Sequence, residues 1–421
     1  MRRESRRTSA GTHQRIEADA SISTYVMSWK DRHPPRIGNS EFVLYVGGTT
    51  GRSILSRTAY GVPGLEFQVQ LSETVFAVGD NYAVRMGESA DPPFETTYRN
   101  LFSNSPDSAL QKDFGQELVE ESELLLIDLN QLNLGVPERQ ACQKLIARAS
   151  REWGFFQVIN HGISRDILET MRAEQVKLLK KPFLDKTNYK DSNFSAGSYR
   201  WGTPSATCLG QLSWSEAFHV SLSDVLGSGG LNSLSSTMEQ FATTVSELAQ
   251  TLADILAEEM GNKTCFFKET CLPTTCYLRL NRYPPCPLYP HQMSGIIPHT
   301  DSDFLTVLHQ DNIGGLQLVK DGRWIAVKPN PQALIINIGD LFQAWSNNVY
   351  KSVEHRVVAN PRKERFSTAF FFCPSDDTVI RWSGVEPGFY TSFSFGEYRE
   401  QVKQDVDILG HKIGLSRFHL A

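Results

Sequence analysis

Pro298-His299-Thr300-Asp301-Ser302-Asp303 opens a stretch that closes on Arg365-Phe366-Ser367 and carries a second histidine, His355, between the two. Along a β-strand, residues i and i+2 share a face. A strand through His299 and Asp301 would let both reach one ion, with His355 completing the set from another strand of the same barrel. Two histidines and one carboxylate cap one side of a metal and leave adjacent positions open, which suits a non-haem ferrous ion. An isolated H-x-D is a weak signal, and a solvated turn over 300–303 is its bland reading. The strand-rich surroundings and the Arg365-x-Ser367 pair favour the metal. On a strand, Arg365 and Ser367 face the same way, and a guanidinium fork grips a carboxylate with two hydrogen bonds. A buried arginine facing a metal needs an anion, which points to a dicarboxylate with one end on iron and the other on Arg365. Asn281 and Tyr283, also two apart, are candidates for the same slot, with ordinary core packing as the equal alternative.

Around this stretch the hydrophobic pattern has a period of two. Positions 277–283 alternate, then Pro284-Pro285-Cys286-Pro287 breaks the run. Strands are expected at 304–309, 333–338, 352–359 and 365–373. Asp321-Gly322 between two more, 315–320 and 323–328, is a strong two-residue hairpin signal. Many short strands with turns between them predict a sandwich or jelly roll. Upstream, a strand is expected at 124–129. A helix entered at Pro137 follows, with Cys142, Leu145, Ile146, Ala149 and Trp153 on one face, and Gly154 stops it. Next come a strand at 155–159, a helix capped by Ser164, and a loop-rich region with a short strand near 214–219. A long helix over 236–260, closed by Gly261, is expected to brace one side of the barrel. A last amphipathic helix at 393–409 leads into a tail that covers it.

The fold expected is mainly β with flanking helices: a double-stranded β-helix (jelly-roll) core with a helical N-terminal domain. Residues 1–85 are poorly patterned and read as a disordered or non-native leader. Residues 86–265 read as the N-terminal domain with scaffold helices, 266–380 as the catalytic jelly roll, and 381–421 as the C-terminal helix and tail. Arg2, Arg3, Arg6 and Arg7 suggest a transit peptide, but Glu4, Glu17 and Asp19 argue against it. A strand or two is conceivable within 65–78. Met86 begins a segment that looks like an ordinary start.

Bulk composition narrows the class. The chain has 421 residues, 40% hydrophobic and 21% charged, with net charge −5. This is ordinary globular composition without the basic stripe of a nucleic-acid binder, and no apolar run reaches membrane-spanning length. Seven cysteines, an odd number, suggest reduced thiols in an intracellular protein, cytoplasmic or also nuclear. None is spaced as a zinc site, so buried inert thiols are expected. His161, in the turn Asn160-His161-Gly162, reads as a histidine bonded to backbone rather than a ligand.

His299-x-Asp301, His355 and Arg365-x-Ser367 together resemble the plant 2-oxoglutarate- and Fe(II)-dependent dioxygenases. So do Asn281-Arg282-Tyr283-Pro284-Pro285-Cys286-Pro287, Gly314-Gly315-Leu316-Gln317-Leu318, Ile336-Asn337-Ile338-Gly339-Asp340 and the 351–357 run ending His355-Arg356-Val357. The segment 155–162 resembles the family's N-terminal signature. At a finer level, 213–219 and 340–347 resemble gibberellin 2-oxidases, and among them the branch acting on C20 gibberellins. The resemblance spans roughly residues 90–421. It implies Fe(II) on His299, Asp301 and His355, and 2-oxoglutarate held by Arg365, Ser367 and Tyr283. It further implies ascorbate as an activator and O2 and a gibberellin as small-molecule substrates, with hydroxylation at C2 inactivating the hormone. Another gibberellin or flavonoid oxidase is the nearest alternative. A silent jelly-roll binding protein is the alternative from a different class.

Overall fold

The computed structural model describes residues 42–48, 51–57, 89–103, 119–188, 194, 197–227, 232–262, 265–287, 293–385 and 387–420. The expectations placed on 65–78 and on the start near Met86 fall outside them. The chain divides into two units between Glu73 and Thr74. In the first, β1 (Phe42–Gly48) and β2 (Gly51–Arg57) pair as an antiparallel hairpin.

The second unit is built on two sheets. Its strands are β3 (Glu120–Ser122), β4 (Leu126–Asp128), β5 (Phe155–Ile159), β6 (Tyr199–Trp201), β7 (Glu216–Ser221) and β8 (Tyr277–Tyr283). They continue with β9 (Ser294–His299), β10 (Leu305–Gln310), β11 (Leu316–Lys320), β12 (Arg323–Val327), β13 (Leu334–Ile338), β14 (His355–Val358) and β15 (Arg365–Phe372). The short pair β16 (Val379–Ile380) and β17 (Phe393–Ser394) closes the list. The large sheet has the order β4-β5-β13-β10-β15-β8-β7-β6 and the small one β3-β12-β11-β14-β9. From β8 onward the chain passes repeatedly from one sheet to the other, as a double-stranded β-helix requires. Tyr283, Ile335 and Phe155 of the large sheet meet Leu316, Leu318, Val327 and Val357 of the small one in a shared apolar layer.

Local sequence accounts for these elements. Asp321 and Gly322 both take positive φ, 51° and 77°, and join Lys320 to Arg323 directly, the two-residue turn that matches strand twist. The helix Val136–Glu152 carries its proline in the first turn, and Gly154, at φ 64°, lies so close to Lys351 that a Cβ would stand 2.3 Å from its carbonyl oxygen. Ser164 accepts from the Ile167 N–H and starts the helix Arg165–Leu179. The long helix is capped by Asn232 and runs Ser233–Glu258. It buries Phe241, Val245, Ala249 and Leu252 in the core, packing against β10 and β15 on the outer face of the large sheet. The final helix, Phe395–Leu409, starts with a capping box between Ser394 and Glu397 and ends at left-handed Gly410.

Three expectations need correction. The strand expected at 124–129 is only β4, because Asp128 turns its side chain onto the Asn130 N–H and starts a 3-10 turn. The strand expected at 214–219 begins later, at Glu216. The cysteines are all free, but Cys208 and Cys265 are exposed rather than buried.

A buried ionic cluster locks the early segment to the sheet. Arg282 donates to Glu216 at 2.6 Å, to Asp91 at 2.6 Å and to Glu364 at 3.0 Å. Lys186 Nζ lies 2.5 Å from the other Glu216 oxygen, which also accepts from the Tyr199 hydroxyl at 2.5 Å. Burial pulls the Lys186 ammonium toward neutrality, and Glu216 opposes it. Removing one partner of such a pair strands the others. Glu216→Ala is expected to lower unfolding free energy by about 3–5 kcal/mol. Urea denaturation checks this, and a loss under about 1 kcal/mol would show the cluster to be relaxed rather than tight.

His219 stacks on Tyr277 at 4.1 Å, with burial and then Arg200, Arg279 and Arg399 holding its pKa down at about 4. Between its usual 6.5 and about 4 the unfolded chain binds a proton that the folded chain does not. Stability therefore falls as pH drops through that window and gains nothing from this group above it. His219→Phe is expected to flatten that part of the urea-midpoint profile, while the two profiles run parallel above pH 7.

Candidate active site

His299 ends β9 and His355 begins β14, and the two are directly opposite in the antiparallel pair. Their ring centroids are 4.3 Å apart. Each Nδ1–H donates to a backbone carbonyl two residues earlier, Ile297 at 2.8 Å and Val353 at 3.0 Å. That choice of tautomer leaves both Nε2 lone pairs free toward Asp301, whose oxygens lie 3.6 and 3.7 Å from them. One ligand atom from each of the three lies within 4.8 Å of the others, the only such cluster among the described residues. Burial, and then the second histidine, hold His299 neutral with a pKa of about 3, the form that ligates metal. Burial pushes Asp301 up, but His355, His299, Thr306 and Asn337 outweigh it and bring the carboxyl down to about 2.

Asp301 does not lie on a strand. It sits in the loop leaving β9, so the alternation argument for the pair does not apply. What aims the carboxylate is a set of fixed hydrogen bonds. Thr306 Oγ1 donates at 2.6 Å and Asn337 Nδ2 at 2.8 Å to the same oxygen. The loop backbone is held by the first turn of the helix Asp340–Trp345, whose Asp340 and Leu341 N–H groups donate to the Asp301 and Asp303 carbonyls at 2.9 and 3.0 Å. Gly339 permits this approach, since a Cβ there would stand 2.1 Å from Asp303 Oδ1. Burial and the adjacent Asp301 charge push the Asp303 carboxyl well above its usual range.

The C-terminal segment completes the brace. Lys412 Nζ donates to the Thr300 carbonyl at 2.9 Å and Ser302 Oγ at 2.8 Å, and pairs with Asp340 at 2.7 Å. Asp340 also accepts from Thr300 and from the Tyr398 hydroxyl.

Across the interior, Arg365 is 1% exposed, and no ion pair among the described residues uses it. It lies over the Tyr283 ring at 4.8 Å, donates to Gln310 Oε1 at 2.7 Å and approaches Ser367 Oγ at 3.4 Å. Arg365 Nε and Gln310 Nε2 are buried without a hydrogen-bond partner. A buried guanidinium with spare donors and no carboxylate of its own fits an anionic ligand group. Asn281 Nδ2 is 3.4 Å from Ser367 Oγ, and its Oδ1 accepts from Arg279 Nε at 2.8 Å. The seven residues named from the sequence fall in two groups, the His299–Asp301–His355 cluster and the Arg365 group, linked by an apolar layer in which Phe155 meets the His355 ring at 5.2 Å and Tyr283 lies under Arg365. His161 lies outside both, with Nδ1 accepting from the Ile163 N–H.

Sequence reasoning missed Gln310, Thr306, Asn337 and the Lys412–Asp340–Tyr398 brace. Asn337 and Asp340 carried a signal without a role, since both lie in the 336–340 motif that resembles the family, and Asn337 is a lone amide in the otherwise apolar run of β13.

Residues 274–374 match the model of the 2OG-Fe(II) oxygenase superfamily, and 124–232 that of the non-haem dioxygenase in morphine synthesis N-terminal family. Gibberellin 2-beta-dioxygenase 8 of Arabidopsis thaliana is 58% identical over 336 residues, 78% of this chain and 98% of that protein. Gibberellin 2-beta-dioxygenase 6 of Oryza sativa subsp. japonica is 48% identical, over 78% of this chain and 96% of its own. Among solved structures, JOX2 in complex with 2OG, Fe and JA aligns with TM-score 0.58 and 29% identity, over 74% of this chain and 94% of its own. The rice dioxygenase for auxin oxidation aligns at 0.59 and 26%, over 71% and 100%.

Loosening the brace should loosen the metal. Lys412→Met is expected to weaken Fe(II) binding about 10-fold, the usual order for an outer hydrogen-bond partner. Titration against a competing chelator reads this directly. Unchanged affinity would show that Asp340 and Thr306 suffice.

Proposed function

The chain belongs to the 2-oxoglutarate- and Fe(II)-dependent oxygenase superfamily, and from that premise we propose that it is a gibberellin 2β-dioxygenase acting on C20 gibberellins. The observation that supports the chemistry is the His299–Asp301–His355 cluster together with a buried arginine that has no acid partner among the described residues. The gibberellin 2-beta-dioxygenases from two plants, similar along nearly their whole length, support the substrate.

In this reading His299 Nε2, Asp301 and His355 Nε2 hold Fe(II), with both imidazoles fixed as the correct tautomer by backbone carbonyls. Arg365, Ser367 and Gln310 hold the far carboxylate of 2-oxoglutarate, and the Tyr283 face supports the guanidinium. Fe(II) and 2-oxoglutarate, when bound, would supply the oxidative chemistry for hydroxylating C2 of the gibberellin, with one oxygen atom of O2 going to the product and the other to the succinate formed from 2-oxoglutarate with loss of CO2. The side chains contribute position: they set the distance between co-substrate and target carbon and keep water out of the interior. Ascorbate serves to keep the iron ferrous. We read 86–265 as a helical N-terminal domain whose helices brace the outer face of the large sheet. The seven unpaired thiols support a reducing compartment, cytoplasm or nucleus.

Purified full-length protein with Fe(II), ascorbate and 2-oxoglutarate should convert C20 gibberellins to 2-hydroxylated products faster than C19 ones, as read by mass spectrometry. Turnover of a different plant metabolite with no gibberellin product would overturn the assignment. Arg365→Met is expected to raise the KM for 2-oxoglutarate about 10- to 100-fold, the range for loss of a charge-assisted hydrogen bond, with Fe(II) affinity unchanged.

A further inference from the structure

The interior face of the large sheet carries more than the iron centre uses. β7, β8 and β15 set His219 opposite Arg279, and Tyr277 opposite Phe371. Phe371 is in turn opposite Thr306 of β10, whose hydroxyl holds Asp301. By alternation these residues share the face of Asn281, Ser367 and Arg365. His219 stacks on Tyr277, and Tyr277 stacks on Phe371 at 4.5 Å with 13° between planes. All three rings remain partly accessible. They form an aromatic ladder across the sheet, about two strand spacings or roughly 10 Å long, that ends one strand from Thr306 and the ligand loop.

Two guanidinium groups belong to the same face. Arg279 lies on β8. Arg200 lies on β6 opposite Ala217, the residue that is itself opposite Asn281. Among the described residues Arg279 spends only its Nε, on Asn281. No ion pair among the described residues uses Arg279 or Arg200, whereas the third arginine near His219, Arg399, is paired with Asp376 at 3.0 Å. His219 stays neutral in this surrounding and adds no charge of its own. Unpaired cationic forks beside a flat apolar wall suit a ligand that is both a fused-ring hydrocarbon and a carboxylic acid.

We propose that Arg279, assisted by Arg200, binds a carboxylate of the hydroxylation substrate while the His219–Tyr277–Phe371 ladder supports its ring skeleton. This rests on the gibberellin reading and specifies its acid-recognising subsite. Asn281 then has a defined part. Its carbonyl oxygen orients Arg279 and its amide meets Ser367, so one side chain spaces the substrate acid from the co-substrate acid.

The test compares a gibberellin acid with its methyl ester on wild type, Arg279→Met, Arg279→Lys and Arg200→Met, reading 2-hydroxylated product and succinate separately. Wild type should discriminate acid from ester by about 10- to 100-fold in kcat/KM, the scale of one charge-assisted hydrogen bond. Arg279→Met should lose that discrimination through KM for the gibberellin, with the KM for 2-oxoglutarate within about 3-fold of wild type, under 0.7 kcal/mol. Arg279→Lys should restore part of it, and Arg200→Met should show a smaller loss. Retained discrimination in Arg279→Met, or a rise in the 2-oxoglutarate KM alone, overturns the subsite and leaves the gibberellin assignment standing. No gibberellin product from wild type overturns both.

Discussion

Two imidazoles held side by side across one antiparallel pair are the constraint on which the site depends. His355 is opposite His299 in the β9–β14 register, so the spacing of their rings is a property of the sheet. Backbone carbonyls fix both Nδ1 protons, which settles where the lone pairs point before any metal arrives. A one-residue slip of β14 would turn His355 away from the cavity. The apolar layer that includes Val357 and Leu318 resists that slip, because the same slip would push both faces of β14 into the wrong surroundings.

The second constraint is electrostatic. Arg365 is buried among Tyr283, Ser367 and Gln310, with no carboxylate of the described residues paired to it. Elsewhere the chain handles buried cations differently: Arg282, one residue before Tyr283 but on the opposite face of β8, has three carboxylates around it. The contrast within a single strand is informative. One arginine is neutralised by the protein and serves cohesion, and the other has no acid partner among the described residues. Burial alone does not distinguish them; the partners do.

Much of this was legible in the sequence, for physical reasons. β5 and β8 have the limits that alternation and flanking breakers gave them, and the Asp321-Gly322 turn follows from the φ its residues tolerate. Arg365 and Ser367 share a face as spacing implied. Asp301 shows where such reasoning stops. Its position is right, but the cause is a loop held by Thr306, five residues on, and by Asn337, Asp340 and Lys412, which come from two distant parts of the chain. Nothing local in the sequence encodes that convergence. Gln310 was illegible for a related reason, since an amide at a strand end looks the same whether it meets water or a buried guanidinium.

The division of work between the sheets explains why the loop needs so many restraints. The small sheet supplies both histidines, and the large sheet supplies Arg365, Ser367 and Asn281. Facing sheets stand about 10 Å apart, a distance set by side-chain packing and slow to change. A diacid that reached from a metal on the two histidines to Arg365 would therefore span a gap fixed by the core itself. Asp301 alone belongs to neither sheet, because it lies where the chain crosses from β9 to β10. A free loop there would let the carboxylate drift relative to both histidines. Thr306 and Asn337 from the large sheet, and the Asp340 helix with Lys412 behind it, tie that crossing down. The ligand with the least support from secondary structure has the most from side chains, which is how two ligands from one sheet and a third from a loop hold as one rigid set.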